Sequence, residues 1–69
     1  MRFLVCRVRD AEFRVVIDLQ KVISAEEHKP EGGSLRSYTR LFLVDNREYL
    51  VNHSFEEIIK ALQSLESGL

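Results

Sequence analysis

At 69 residues, 45% apolar and 30% charged, the chain has the makeup of one folded domain, which excludes a second core and a disordered polyelectrolyte. A formal net charge of −1 gives no overall pull toward nucleic acid or anionic lipid. The single cysteine, Cys6, excludes an internal disulfide, and no Cys/His group has zinc-ligand spacing, so association is the remaining support for so small a core.

The opening "MRFLVCRVRD" carries Arg7 and Arg9 too early for a signal peptide or a membrane span, and a cytoplasmic location is the expectation. Residues 3–9 read as a strand in which Leu4, Cys6 and Val8 alternate with Phe3, Val5, Arg7 and Arg9. Asp10-Ala11 turns the chain, or a longer loop does, since Ala is a poor host for positive φ. Residues 13–17 form a second strand. Asp18 then caps a short turn, "DLQK", before "VISAEE" extends again.

Residues 26–37, "EEHKPEGGSLRS", hold the only proline and two of the three glycines, and read as a flexible loop. Residues 38–44 and 47–52 make the clearest hairpin, with Asp45-Asn46 as a two-residue tip. That tip sets Leu43 opposite Glu48, Phe42 opposite Tyr49 and Leu41 opposite Leu50. A helix begins after Ser54, which with Glu57 forms a capping box. Phe55, Ile58, Ile59, Leu62 and Leu65 recur at helical spacing as one apolar stripe, and Gly68 is placed to end the helix. There is no internal repeat or low-complexity segment.

The expected fold is therefore α+β: an antiparallel sheet of four or five strands with one C-terminal helix packed on one face. The helix stripe should meet Leu4, Cys6, Leu41, Leu43 and Leu50. This assignment leaves Phe3, Val5, Phe42, Val44, Tyr49 and Val51 on the other face, where alternation should have supplied charge. A second apolar face calls for a partner, and these six residues are the expected interface.

Residues able to carry chemistry read more simply as structure. Cys6 lies mid-strand in the core row, without a base beside it. His28 stands beside Glu26 and Glu27, with His53 far along the chain, and that spacing does not define a metal site. Gly32-Gly33-Ser34 lacks the strand–loop–helix setting and the lysine of a phosphate loop. Glu56 and Glu57 complement the helix dipole. No catalytic residue, metal or cofactor is expected.

The arginines supply the competing function. Arg7 and Arg9 share a strand face with Phe3, while Arg40 and Arg47 share one with Phe42 and Tyr49. Guanidinium groups among aromatic rings on an open sheet are what a single-stranded nucleic acid needs, for phosphates and bases respectively. Arg and Tyr are also enriched at protein interfaces, and the acidic helix opposes a polyanion, so interface ranks above nucleic acid.

Three segments, "FLVCRVRDAEF", "IDLQKVISAEE" and "YTRLFLVDNREYLVNHSFEEIIKAL", together resemble the FlbD/swarming-motility family of small bacterial proteins. The resemblance spans nearly the whole chain, though Asp45-Asn46 stands where the family usually has Asn-Gly. It implies a non-enzymatic flagellar accessory protein and brings no catalytic or ligand residue with it. The closing segment is also similar to part of the DNA-binding LytTR domain, as a likeness of fold. The expected function is a small assembly or accessory module acting by self-association, as a homo-oligomer, and by protein binding. A nucleic-acid-binding sheet is the alternative.

Overall fold

The computed structural model describes residues 2–29 and 37–67. Its elements follow the order β1 (Phe3–Arg7), β2 (Arg14–Asp18), a 3-10 turn (Leu19–Lys21), β3 (Val22–His28), β4 (Tyr38–Leu43), β5 (Glu48–Val51) and helix α1 (Phe55–Ser67). The α+β class, the five strands and the C-terminal helix agree with expectation. All strand pairs are antiparallel, but they are split between a two-stranded sheet, β1-β2, and a three-stranded sheet, β3-β4-β5. The sheets touch where β1 runs out: Val8 bridges Val51, the Arg9 N–H donates to the Leu50 carbonyl at 2.7 Å, and the Asn52 N–H donates to the Arg7 carbonyl at 3.0 Å.

The β1–β2 connection is the longer loop rather than a two-residue turn. The Val8 N–H reaches the Phe13 carbonyl, and the positive φ of 61° falls on Asp10, sparing Ala11 the penalty its Cβ would bring. Asp18 caps the turn after β2 as expected, its carboxylate accepting the Gln20 N–H at 3.0 Å. A salt bridge that was not anticipated fixes the same residue: the Arg2 guanidinium donates to both carboxylate oxygens, at 3.0 and 2.9 Å.

At the β4–β5 tip the structure corrects the expected register. Leu43, not Val44, closes the loop, its N–H donating to the Arg47 carbonyl at 2.9 Å. The Asn46 N–H turns back to the Leu43 carbonyl at 3.2 Å, and Asn46 takes φ 65°. The loop is thus three residues, Val44-Asp45-Asn46, a turn followed by one left-handed residue. Only Asn46 uses the left-handed tolerance, so Asp45-Asn46 is not a two-residue tip. Pairing slips by one, to Leu41 opposite Tyr49, Arg40 opposite Leu50 and Thr39 opposite Val51. Because strand side chains alternate, every residue of β5 changes face. Tyr49 and Val51 turn inward, while Leu50 turns outward.

Segment 26–37 is also corrected at its start. Glu26, Glu27 and His28 continue β3, paired with Arg40, Thr39 and Tyr38. Pro30, Gly32, Gly33 and Ser34, like Gly68, lie outside the described residues.

The core consists of Cys6, Ile17, Leu19, Leu41, Leu43, Val51 and Ile58, with Leu4, Val15, Val22, Ala25, Tyr49 and Leu62 packed around it. The helix lies over β3, β4 and the 3-10 turn. Of its stripe, Ile58 is fully buried and Phe55, Ile59, Leu62 and Leu65 are half-buried. The capping box is present. The Glu57 N–H donates to Ser54 Oγ at 3.2 Å, and the Ser54 N–H donates to Glu57 Oε1 at 3.2 Å. Thr39 is wholly buried, and its hydroxyl is satisfied by the His53 carbonyl at 3.0 Å.

Two substitutions test this local structure. Ser54→Ala removes the cap acceptor and should cost about 1 kcal/mol in urea unfolding. Asn46→Val forces a β-branched residue into left-handed backbone and should cost roughly 1–2 kcal/mol, whereas Asn46→Gly should be tolerated. Equal midpoints for Asn46→Val and Asn46→Gly would show that the loop does not use positive φ at that position.

Candidate interaction surface

The β1–β2 register sorts the two strands into an inner and an outer row. Leu4 faces Ile17 and Cys6 faces Val15 on the inside, so Phe3 faces Asp18, Val5 faces Val16 and Arg7 faces Arg14 on the outside. No other element covers this outer row among the described residues. Phe3 is 55% exposed, Val5 53% and Val16 65%. The Arg2 guanidinium lies 5.2 Å from the Phe3 ring centroid while holding Asp18, so the ring is flanked by an ion pair.

A second exposed apolar group surrounds the β4–β5 tip. The pairing of β3 with β4 shifts between Val22 and Ser24, leaving Ile23 as a bulge that points outward. Ile23 and half-buried Phe42, which sits opposite Glu48, border one shallow groove, and exposed Val44 borders another. Between this tip and β2 runs an open groove of about 360 Å3, lined by Val16, Asp18, Lys21, Val44, Arg47 and Tyr49 among others.

Of the six residues expected at an interface, Phe3, Val5 and Val44 are exposed and Phe42 is partly so. Val51 and Tyr49 are not on that face: Val51 is buried and Tyr49 packs against the core, both through the slipped register. Sequence reasoning missed Val16, Phe13 and Ile23, all more than half exposed. For Val16 the signal was available, since an inward Leu4 requires an inward Ile17 and therefore an outward Val16.

The outer faces of both sheets also carry the arginines. Around the Val8–Val51 bridge, Arg9 aligns with Leu50 and Arg40, and Arg7 aligns with Asn52 and Arg14. The Arg9 guanidinium lies 4.0 Å from the Tyr38 centroid, and Tyr38 in turn stacks on His28 at 5.8 Å. Arg40 meets Glu48 at 3.5 Å, and its Nε is buried without a partner among the described residues. Arg47 lies apart from this row, paired with Asp45 at 3.1 Å beside the tip. Arg7 and Arg14 face each other directly, and neither makes an ion pair among the described residues.

The histidines each have their own partners. His28 sits 3.5 Å from Glu26. His53 places Nδ1 3.1 Å from Glu57 Oε2 and Nε2 3.2 Å from the Val5 carbonyl. Both partners are acceptors, so each contact is a hydrogen bond only when its ring nitrogen carries the proton. The hydrogen bond from His53, with help from the Ser54 N–H, holds the Glu57 carboxyl below its ordinary range. Likewise, the Arg2 hydrogen bond holds Asp18 down. No group of three or more His, Cys, Asp or Glu among the described residues is placed to hold a metal ion. No helix among them is long and apolar enough to cross a membrane. No protein-family model, curated protein or solved structure matches the chain.

Cys6 is enclosed in the core, and burial pushes its thiol up to about 11. A thiol held protonated and covered is a poor nucleophile. In native protein at pH 7.5, a thiol reagent such as DTNB should label Cys6 only as fast as the chain opens, and fully in denaturant. Immediate stoichiometric labelling of folded protein would show that the thiol is accessible.

Proposed function

We propose that the chain is a small cytoplasmic accessory module that performs no catalysis and works by self-association and protein binding. One observation carries this reading: Phe3, Val5 and Val16 form a contiguous outer face, each more than half exposed, on a domain with a small core. Scattered surface hydrophobics are ordinary, but adjacent ones on a sheet face mark a contact surface. Exposed Ile23 and half-buried Phe42 add a smaller apolar patch beside the β4–β5 tip. The resemblance of the three quoted segments to the FlbD/swarming-motility family supports placing the module among bacterial flagellar accessory proteins.

The nucleic-acid reading has Arg7 and Arg14 in its favour, two cations side by side with no ion pair among the described residues. Against it, Arg9 already occupies the Tyr38 face, Arg40 is engaged by Glu48, and Arg47 lies elsewhere. Two free guanidinium groups would give a shallow salt dependence, roughly 0.7 per phosphate contact on single strands. Tight, steeply salt-dependent binding needs more contacts than that.

Absolute mass in solution tests the proposal. Light scattering at low micromolar concentration should report a multiple of the 8.1 kDa chain. A soluble species at the single-chain mass across that range would overturn self-association.

A further inference from the structure

Backbone hydrogen bonding defines one edge of the β1–β2 sheet with unusual clarity. Leu19 N–H bonds to the Arg2 carbonyl and Val8 N–H to the Phe13 carbonyl, which fixes the phase of the ladder. In an antiparallel pair with this phase, residues 13, 15, 17 and 19 direct their N–H and C=O groups to β1. Arg14, Val16 and Asp18 direct theirs the other way. β2 pairs only with β1, so this second row has no backbone partner among the described residues.

We propose that this edge of β2 pairs antiparallel with β2 of a second copy of the chain, about a two-fold axis at Val16. The occupant follows from the order of charges in Arg14-Val15-Val16-Ile17-Asp18. A two-fold pairing centred on Val16 sets Val16 against its own copy and Arg14 against Asp18 of the other chain, twice. The residues brought opposite are the same three whose backbone groups point outward, so hydrogen bonding and charge pairing require one and the same register. A slip of one residue would lose both.

Side chains on the outer face agree. Val16 is the most exposed residue of the Phe3, Val5 and Val16 face. Pairing places two copies of that face side by side, so Val5, Val16 and their symmetry mates make one continuous apolar strip. Arg14 has no ion pair among the described residues and confronts Arg7, a like-charge pairing that is unfavourable within one chain. A carboxylate from a second copy offsets it. Asp18 is preorganised to serve, since Arg2 grips it bidentately and it caps the 3-10 turn, while a carboxylate retains further acceptor sites. Val16 is exposed and Asp18 half-buried along this edge, where a groove separates β2 from Val44, Arg47 and Tyr49, and the incoming strand would lie in that groove. β2 carries no proline, bulge or inward charge, and its edge charges, Arg14 and Asp18, are of opposite sign and so suit a second copy of the same strand.

The inference rests on the self-association reading, and the experiment separates their failures. Cross-linking through one added cysteine uses the exposed outer row, the native Cys6 being enclosed in the core. In the proposed pair the two Val16 Cα atoms stand about 5.5 Å apart, within disulfide range, whereas the two Val5 positions are separated by three strand spacings, roughly 14 Å. Val16→Cys should therefore give a covalent dimer on mild oxidation, and Val5→Cys, of comparable exposure, should not. Arg14→Glu supplies the second readout. It sets a carboxylate against Asp18 of the other copy and should weaken association about tenfold or more. Within one chain it sets that carboxylate against Arg7, so the thermal midpoint of the dilute, dissociated protein should hold or rise. A merely damaged hairpin would lower it.

Efficient Val16→Cys coupling with little from Val5→Cys, and weaker association of a stable Arg14→Glu variant, is the expected result. Equal coupling at both positions overturns the edge pairing, as does an unchanged mass for Arg14→Glu, while self-association stands. A wild-type chain that stays monomeric overturns both.

Discussion

The hydrogen bond from the Leu43 N–H to the Arg47 carbonyl decides which side chains of β5 lie inside the domain. It closes the tip at three residues, and the left-handed backbone of Asn46 makes that closure possible. From there alternation does the rest: Tyr49 and Val51 turn to the core, and Glu48 and Leu50 turn away. Val51 is then positioned to bridge Val8, the point where the two sheets meet. A tip one residue shorter would send Val51 outward, set Leu50 inward and leave the junction without its buried partner.

The second joint is the segment between β5 and the helix. Within three residues His53 and Ser54 contact β4, β1 and the first turn of α1. The His53 carbonyl takes the buried Thr39 hydroxyl, its ring reaches the Val5 carbonyl and Glu57, and Ser54 caps the helix with Glu57. Charge and geometry reinforce each other here, because a carboxylate in the first helical turn is favoured by the dipole as well as by the two donors. Acidification acts through the same group. Glu57 and Asp18 both titrate below their ordinary values, so what they contribute is in place above the unfolded carboxylate range near pH 4–4.5 and is lost as pH falls through the folded values.

How much could be read from the chain alone tracks the range over which each interaction acts. The capping box spans three residues and the cap at Asp18 two, and both were legible. The tip was ambiguous because Asp45 and Asn46 each tolerate positive φ, so the same letters suit a two- or a three-residue loop, and one slip reverses a whole strand. β3 was cut short because Glu26, Glu27 and His28 have no apolar alternation. What makes them strand is pairing with Arg40, Thr39 and Tyr38, residues remote in sequence. The outward turn of Ile23 depends on a bulge, and the Arg2–Asp18 pair joins residues sixteen positions apart. Of the expected contact face, Phe3, Val5 and Val44 depended only on local alternation and stayed outside, while Tyr49 and Val51 depended on the tip and did not.

In the proposed pair, the facing arginines of β1 and β2 would link stability to association. A two-stranded sheet is marginal by itself, and here one of its cross-strand pairs, Arg7 with Arg14, is of like charge with no counter-ion among the described residues. The inner pairs, Leu4 with Ile17 and Cys6 with Val15, and the Val8 bridge hold it in place. If a second β2 docks at the free edge, the sheet becomes four strands wide and Arg14 gains an opposite charge. The conflict that weakens the single chain then favours the pair. In the proposed pair, folding and self-association would share the same strand, so a partner bound at Arg14, Val16 and Asp18 would hold the β1–β2 sheet more firmly on the rest of the domain. Stability of such a pair would then rise with protein concentration.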